Sequence, residues 1–218
     1  LPGLLALEPP LAALLREPNN PARIAAANAY LEAAQQGAAV AATYLIDANG
    51  LTLAASNWRQ SRSFIGHNYA FRPYFRDALR HGSGRYFAVG VTTGVPGYFL
   101  SRVVRDLDGM PLGVVVLKLE MEELQRDWAG QSGVLLVTDR HGIAILASRP
   151  AWRFRHLPGL GEAQRAELLA ARKYAEQTLR PLDLQTLESL GEHGERVRVD
   201  GPDGRRDYLW QRHALAEE

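Results

Sequence analysis

The sequence predicts an α+β fold: a long N-terminal helix leading into two modules, each an antiparallel sheet carrying a helix or two. Three observations predict it. The chain opens on helix start and stop signals, continues as short apolar strands separated by turn residues, and then repeats a strand–turn–strand pattern at a constant offset of 92 residues.

In chain order, "EPPLAALLREP" begins with prolines suited to a first helical turn, and Pro18 ends it. In "NNPARIAAANAYLEAAQQG", Asn20 is the N-cap, Pro21 the first helical position and Gly37 the stop. Ile24, Ala27, Leu31 and Ala34 form a narrow apolar seam along that helix. The commoner use of such a seam is packing on the chain's own sheet. Its small side chains also suit pairing with a second copy, and a homodimer through this helix, weak in an isolated piece, is expected. Strands follow in "AAVAATYLI" and "LTLAAS" around the turn "DANG". A short helix over about 73–80 ends at "HGSG", and "RYFAVGVTT", "GYFLSRVVR" and "PLGVVVLKL" read as three more strands. "EMEELQRDWAG" reads as a helix.

The pattern then restarts. "YLIDANGLTLAAS" lies over "LVTDRHGIAILAS" with Asp47 on Asp139, Gly50 on Gly142, Ala55 on Ala147 and Ser56 on Ser148. "DLDGMPLGVVVLKL" lies over "GPDGRRDYLWQRHAL", with Asp108-Gly109 on Asp203-Gly204. Two matched hairpins in the same order argue for a duplicated module. The expected division is a helical segment 1–38, a first module 39–130 and a second 131–218, the boundary falling near Gly130 to Gly133.

Composition removes several classes of function. The 218 residues are 46% hydrophobic and 22% charged, as in an ordinary globular protein. With 25 basic and 24 acidic residues there is no global field to draw nucleic acid or an anionic membrane, and no nucleic-acid partner is expected. Cysteine is absent, so there is neither a disulfide framework nor a thiolate metal site. No apolar run is long enough to cross a bilayer, and no signal peptide is visible. The chain opens at Leu1 without a methionine and stops in "ALAEE", which reads as a piece of something longer.

Candidate chemistry gathers in the first module. In "IGHNYAFRPYF", Tyr69, Phe71, Tyr74 and Phe75 surround Arg72, and Pro73 places Arg72 at the start of a helix. A cation is poorly placed there unless it and the helix's free N–H groups face the same anion, or unless it pairs with a nearby carboxylate such as Asp77. The loop "TTGVPG" offers the hydroxyls of Thr92 and Thr93 and the permissive backbone of Gly94, though an ordinary hairpin loop would read the same. Lys118 shares a strand face with Val114 and Val116, opposite Val115, Leu117 and Leu119. A lysine so placed needs either a partner or an exit to water. Catalysis finds no support: Ser56, His67 and Asp77 lie near no nucleophile elbow, no histidine pair has metal spacing, and there is no Walker loop. Neither a catalytic residue nor a metal or cofactor is expected.

The stretches "SFIGHNYAFRPYFRDAL", "AVGVTTGVPGYFLS" and "LGVVVLKLEMEELQRDW" closely resemble the periplasmic sensor region of four-carbon dicarboxylate transport sensor kinases of the DctB type, double Cache (tandem PAS-like) sensors. The resemblance implies a membrane-distal ligand-binding module followed by a membrane-proximal one, set between two transmembrane helices and a cytoplasmic kinase domain outside this chain. It implies a periplasmic domain of an inner-membrane protein. In this family the distal pocket holds succinate, malate, fumarate or a similar dianion. Carried onto matching positions, its ligand residues are Tyr69, Arg72, Tyr74, Thr92, Thr93, Gly94 and Lys118, with Ser56 and Ser101 as second-line contacts. His213 stands where Lys118 would in the second module, so one site per chain is expected. Two readings remain beside this one: a double Cache sensor for amino acids or other small carboxylates from a chemoreceptor or cyclase, and an enzyme domain. The first would need an acidic group for the ligand's ammonium, the second a base or nucleophile in the pocket.

Overall fold

The computed structural model describes residues 1–128, 133–175, 177–201 and 204–213; Gly130 of the expected boundary and Asp203 of the second hairpin lie outside them. The chain forms two compact units. Unit 1 is Leu1–Glu122 together with Glu167–Ala175, and unit 2 is Glu123–Ala166 together with Glu176–Glu218.

Unit 1 begins with α1 (Pro2–Leu5), α2 (Pro9–Arg16) and α3 (Pro21–Gly37). Asn20 caps α3 as expected: its Oδ1 accepts from the Ala22 and Arg23 amides at 3.0 and 3.3 Å. After Gly37 the Ala38 amide still donates to Ala34 and Ala39 turns to φ 49°, so strand β1 (Ala42–Asp47) starts later than the apolar run suggests. It is followed by β2 (Thr52–Ala55), α4 (Pro73–His81), β3 (Ser83–Val89), β4 (Pro96–Arg105) and β5 (Pro111–Glu120). The five strands make one antiparallel sheet in the order β2-β1-β5-β4-β3, which puts the last strand at the centre.

Period-two alternation divides this sheet. Ala42, Tyr44, Ile46, Val114 and Val116 face one way, under Tyr74, Phe75 and Ala78 of α4. Leu45, Val115 and Leu117 face the other way, against α2 and α3. Here the seam expectation is corrected. Ala27 and Leu31 are fully buried, with Ile24 and Ala34 packed beside them on this second face, so the seam cannot also meet a copy in another chain. The physical reason is that an apolar sheet face must be covered, and α3 is the element that covers it. What α3 leaves exposed is its other side, with Ala22, Ala26, Ala29 and Ala33.

Unit 2 holds most of α5 (Glu122–Trp128), then β6 (Leu136–Thr138), β7 (Ala144–Ala147), a 3-10 turn at Pro150–Trp152, β8 (Arg155–His156) and the start of α6 (Glu162–Ala170). It continues with β9 (Arg180–Pro181), β10 (Asp183–Ser189), a second 3-10 turn at Gly191–His193, β11 (Glu195–Gly201) and β12 (Gly204–Trp210). Its described strands fall into three small sheets, β10-β11-β12, β6-β7 and parallel β8-β9. The core gathers around Trp152, with Ala147, Leu182, Val197 and Val199.

The duplication is visible at the level of single hydrogen bonds. Tyr44 pairs with Ala55 and Leu45 with Ala54 before a register shift; Leu136 pairs with Ala147 and Val137 with Leu146 before the same shift. Asp47 Oδ1 accepts from the Asn49 and Leu51 amides, as Asp139 Oδ1 does from His141 and Ile143. The Ser56 hydroxyl accepts from the Thr43 amide at 3.0 Å and the Ser148 hydroxyl from Leu135 at 2.9 Å. Even the helix-borne amide recurs, Asn28 of α3 accepting from the Ala55 amide and Gln125 of α5 from Ala147.

Candidate functional site

On the α4 side of the unit 1 sheet the chain closes around a pocket. Its floor is β-sheet: Tyr44 from β1, Phe99 from β4 and Lys118 from β5, the last two paired in register. Its walls are Phe64, Tyr69, Arg72 and Tyr74, and the loop after β3 supplies Gly90, Val91 and Thr92. In this conformation about 10 Å³ is free inside, room for roughly one water.

Arg72 sits at the N-cap of α4, extended at φ −76° and ψ 132°, because Pro73 excludes helical backbone before it. Only 1% of it is exposed. It does not pair with Asp77 or any other described carboxylate. Nη2 donates to the Val89 carbonyl at 2.9 Å, while Nη1 donates to the Arg172 and Ala171 carbonyls at 3.0 and 3.3 Å. Lys118 is 2% exposed and sits in the central strand, so it does not snorkel from an edge. Nζ donates to Thr93 Oγ1 at 3.1 Å and lies 6.0 Å from the Phe99 ring centre. Burial holds its ammonium below the ordinary lysine value, opposed by the carboxylates of Glu120 and Glu122.

The hydroxyls of the pocket bond to one another. Tyr44 and Tyr74 share a 2.8 Å hydrogen bond, and Tyr69 shares one of 2.6 Å with Thr92. Burial raises the pKa of all three phenols, so each stays protonated and able to donate. Phe64 stacks on Tyr44 and Phe99 on Tyr74, which gives the pocket apolar sides.

Tyr69, Arg72, Tyr74, Thr92 and Lys118 of the sequence expectation thus meet in one pocket. Thr93 reaches it through its bond to Lys118, while Gly94 (φ 71°) shapes the loop without lining the space. The loop replaces the end of the strand expected through "VGVTT": the Gly90 amide turns back to Val95 and the Gly94 amide to Gly90. Ser56 and Ser101 are not on the lining. Ser56 holds the Thr43 amide in the turn shared by both modules, and Ser101 donates to the Tyr74 and Gly84 carbonyls, fastening α4 to the sheet. Tyr44, Phe64 and Phe99 were not expected. Aromatics on strands read as core, and the only available signal was that Tyr44 precedes its strand's turn by the spacing that aligns it with Val116, one pleat from Lys118.

Two buried cations, facing phenols and hydroxyls with no carboxylate among the described lining residues, make a pocket whose chemistry suits a small anion. No family model matches the chain. The C4-dicarboxylate transport sensor protein DctB of Rhizobium meliloti is 39% identical over 189 residues, and that of Pseudomonas aeruginosa is 36% identical over 185. These matches cover 87% and 85% of this chain and 30% of each relative, so the chain spans about a third of their length. The solved sensor domain of the histidine kinase DctB of Vibrio cholerae superposes with a TM-score of 0.82 at 32% identity, covering 98% of this chain and 78% of that one. The chain belongs to the family of DctB-like periplasmic sensor domains.

Proposed function

We propose that this chain is the extracytoplasmic input region of a two-component sensor histidine kinase, that unit 1 binds C4-dicarboxylates such as succinate, malate and fumarate, and that binding is signalled across the membrane to control their uptake. In this reading residues 39–130 are the membrane-distal, ligand-binding module and 131–218 the membrane-proximal one. The fragment itself catalyses nothing. The observation that carries the reading is the burial of Arg72 and Lys118 in one pocket without a carboxylate partner. A buried unpaired charge is destabilising, and two of them suit the two ends of a short dianion, a guanidinium able to fork one carboxylate and an ammonium acting as a point charge on the other. The aromatic sides suit the methylenes between. An amino-acid ligand is disfavoured because no Asp or Glu among the described residues lines the pocket to receive an ammonium.

Pairing of two chains through the N-terminal helix remains part of the proposal, and it has to use the exposed side of α3 bearing Ala22, Ala26, Ala29 and Ala33. Unit 2 is read as the transmitting module: among its described residues no arginine or lysine is buried as a whole, although Nε and Nη2 of Arg153 are covered, and His213 is exposed. Calorimetry with succinate, malate, fumarate, butyrate, succinamate and aspartate tests the ligand assignment. Dianions without an ammonium should bind, and the others far more weakly. Butyrate binding as tightly as succinate would remove the two-ended clamp.

A further inference from the structure

We propose that the segment Glu167–Ala175, which reaches unit 1 from the second half of the chain, is part of the ligand site: its backbone carbonyls position the Arg72 guanidinium, so that ligand occupancy and docking of this segment stabilise each other. The proposal rests on the ligand reading above.

The segment is fastened to unit 1 at several points. The carbonyls of Ala171 and Arg172 take both bonds from Arg72 Nη1, and the Lys173 carbonyl accepts from the Val89 amide at 2.8 Å. Val89 is the last residue of β3, and its own carbonyl takes the bond from Arg72 Nη2. Tyr174 is buried, its ring 6.3 Å from that of Phe87, and Lys173 Nζ lies 5.3 Å from the Tyr86 ring centre. Arg172 and Ala175 adopt φ of 46° and 49°, a left-handed backbone that side chains disfavour and that the surrounding contacts must hold.

The choice of acceptors matters. A carboxylate at this place would neutralise Arg72 and compete with an anion. Carbonyls fix the guanidinium's orientation while leaving its full charge for a ligand. They engage Nη1 and Nη2, and none of them engages Nε. With Val89 on the Nη2 hydrogen that faces Nη1, Nε and the other Nη2 hydrogen would offer the side-on fork that fits a carboxylate. A ligand held by that fork favours the docked segment, and the docked segment favours the ligand by the same factor. Because the chain belongs to unit 2 immediately before Glu167 and again from Glu176, the segment ties the pocket covalently to the other unit.

The test combines hydrogen exchange with a double-mutant cycle on the whole chain, succinate being the probe. Saturating succinate should slow exchange of the Val89 and Lys173 amides. Tyr174→Ala should weaken succinate binding about tenfold, Tyr174→Phe should restore it, and in an Arg72→Lys background Tyr174→Ala should change affinity by less than about twofold, because the guanidinium it acts through is gone. Unchanged exchange at Val89 and Lys173 under saturation overturns the proposal. So does an equal loss from Tyr174→Ala in both backgrounds, or no loss in either. Failure of the unaltered protein to bind any dicarboxylate overturns the ligand reading itself, and this inference with it.

Discussion

At the scale of single residues the pocket rests on two cations that are buried without a carboxylate partner among the described residues. Arg72→Ala or Lys118→Ala should weaken dicarboxylate binding by about 2 to 5 kcal/mol, enough to take a micromolar ligand to the millimolar range or beyond. Calorimetry on folded variants checks it. Lys118 also sets a pH dependence. Its folded pKa is depressed, so between that value and the unfolded lysine value the unfolded chain holds more protons than the folded one. Stability of the ligand-free domain should therefore rise with pH through that window, and the rise should vanish in Lys118→Met. Succinate, which favours the ammonium, should bind with full affinity below the depressed pKa and lose affinity as pH climbs through it. Denaturant midpoints and calorimetry across that range measure both. Pro73 and strict alternation told where Arg72 and Lys118 lie on the backbone, but left each between a ligand role and an ordinary one; their sharing a pocket was expected only from the family resemblance. Tyr44 and Phe99 were not legible, since an aromatic on a strand is core far more often than ligand wall. Ser56, expected only as a second-line contact, is off the lining and holds a turn that both modules share.

The elements repeat more faithfully than their surroundings do. Gly50 and Gly142 occupy the same turn at φ 91° and 73°, yet a Cβ on Gly50 would come within 2.6 Å of Ala70, while one on Gly142 would lie 3.4 Å from Leu157. Gly50→Ala should thus destabilise its unit by about 1–3 kcal/mol and more than Gly142→Ala does, because only the former adds a backbone clash to the left-handed strain. Thermal melts of the two variants decide it, and equal losses would mean that crowding at Ala70 relaxes. Strand and helix order in unit 1 came largely from the sequence, whereas β8, α6, β9 and β10 of the second half were not read from it. Boundaries moved where hydrogen bonds outvoted apolar pattern, as at Gly90, whose turn cuts short a run of β-formers. The α3 seam shows the limit: periodicity reports that a face is buried and is silent on what buries it.

For the molecule as a whole, the repeat was legible because Asp-x-x-Gly turns recur in register, and the buried Arg72 and Lys118 both fall in unit 1. A ligand that binds only one unit stabilises that unit alone. Succinate at a hundred times its Kd should stabilise unit 1 by about 2.7 kcal/mol and leave the unfolding of unit 2 in place, so scanning calorimetry should show one ligand-dependent component. A uniform upward shift of the whole transition would mean that the two units unfold as one. The return of residues 167–175 to unit 1 was illegible. Nothing in "ELLAARKYA" announces that its carbonyls face an arginine about a hundred positions earlier, because backbone acceptors are the same in every residue.

The small free volume of the pocket has a consequence in time. Thr92 and Thr93 hold Tyr69 and Lys118 with their own hydroxyls, and the space left between is too small for a four-carbon dianion. A four-carbon dianion would then enter only as the 90–95 loop lets go. The observed association rate should level off as succinate concentration rises, at a ceiling set by loop opening, and Thr93→Val should raise that ceiling. The sensor would respond at the pace of its own threonines, whatever the supply outside.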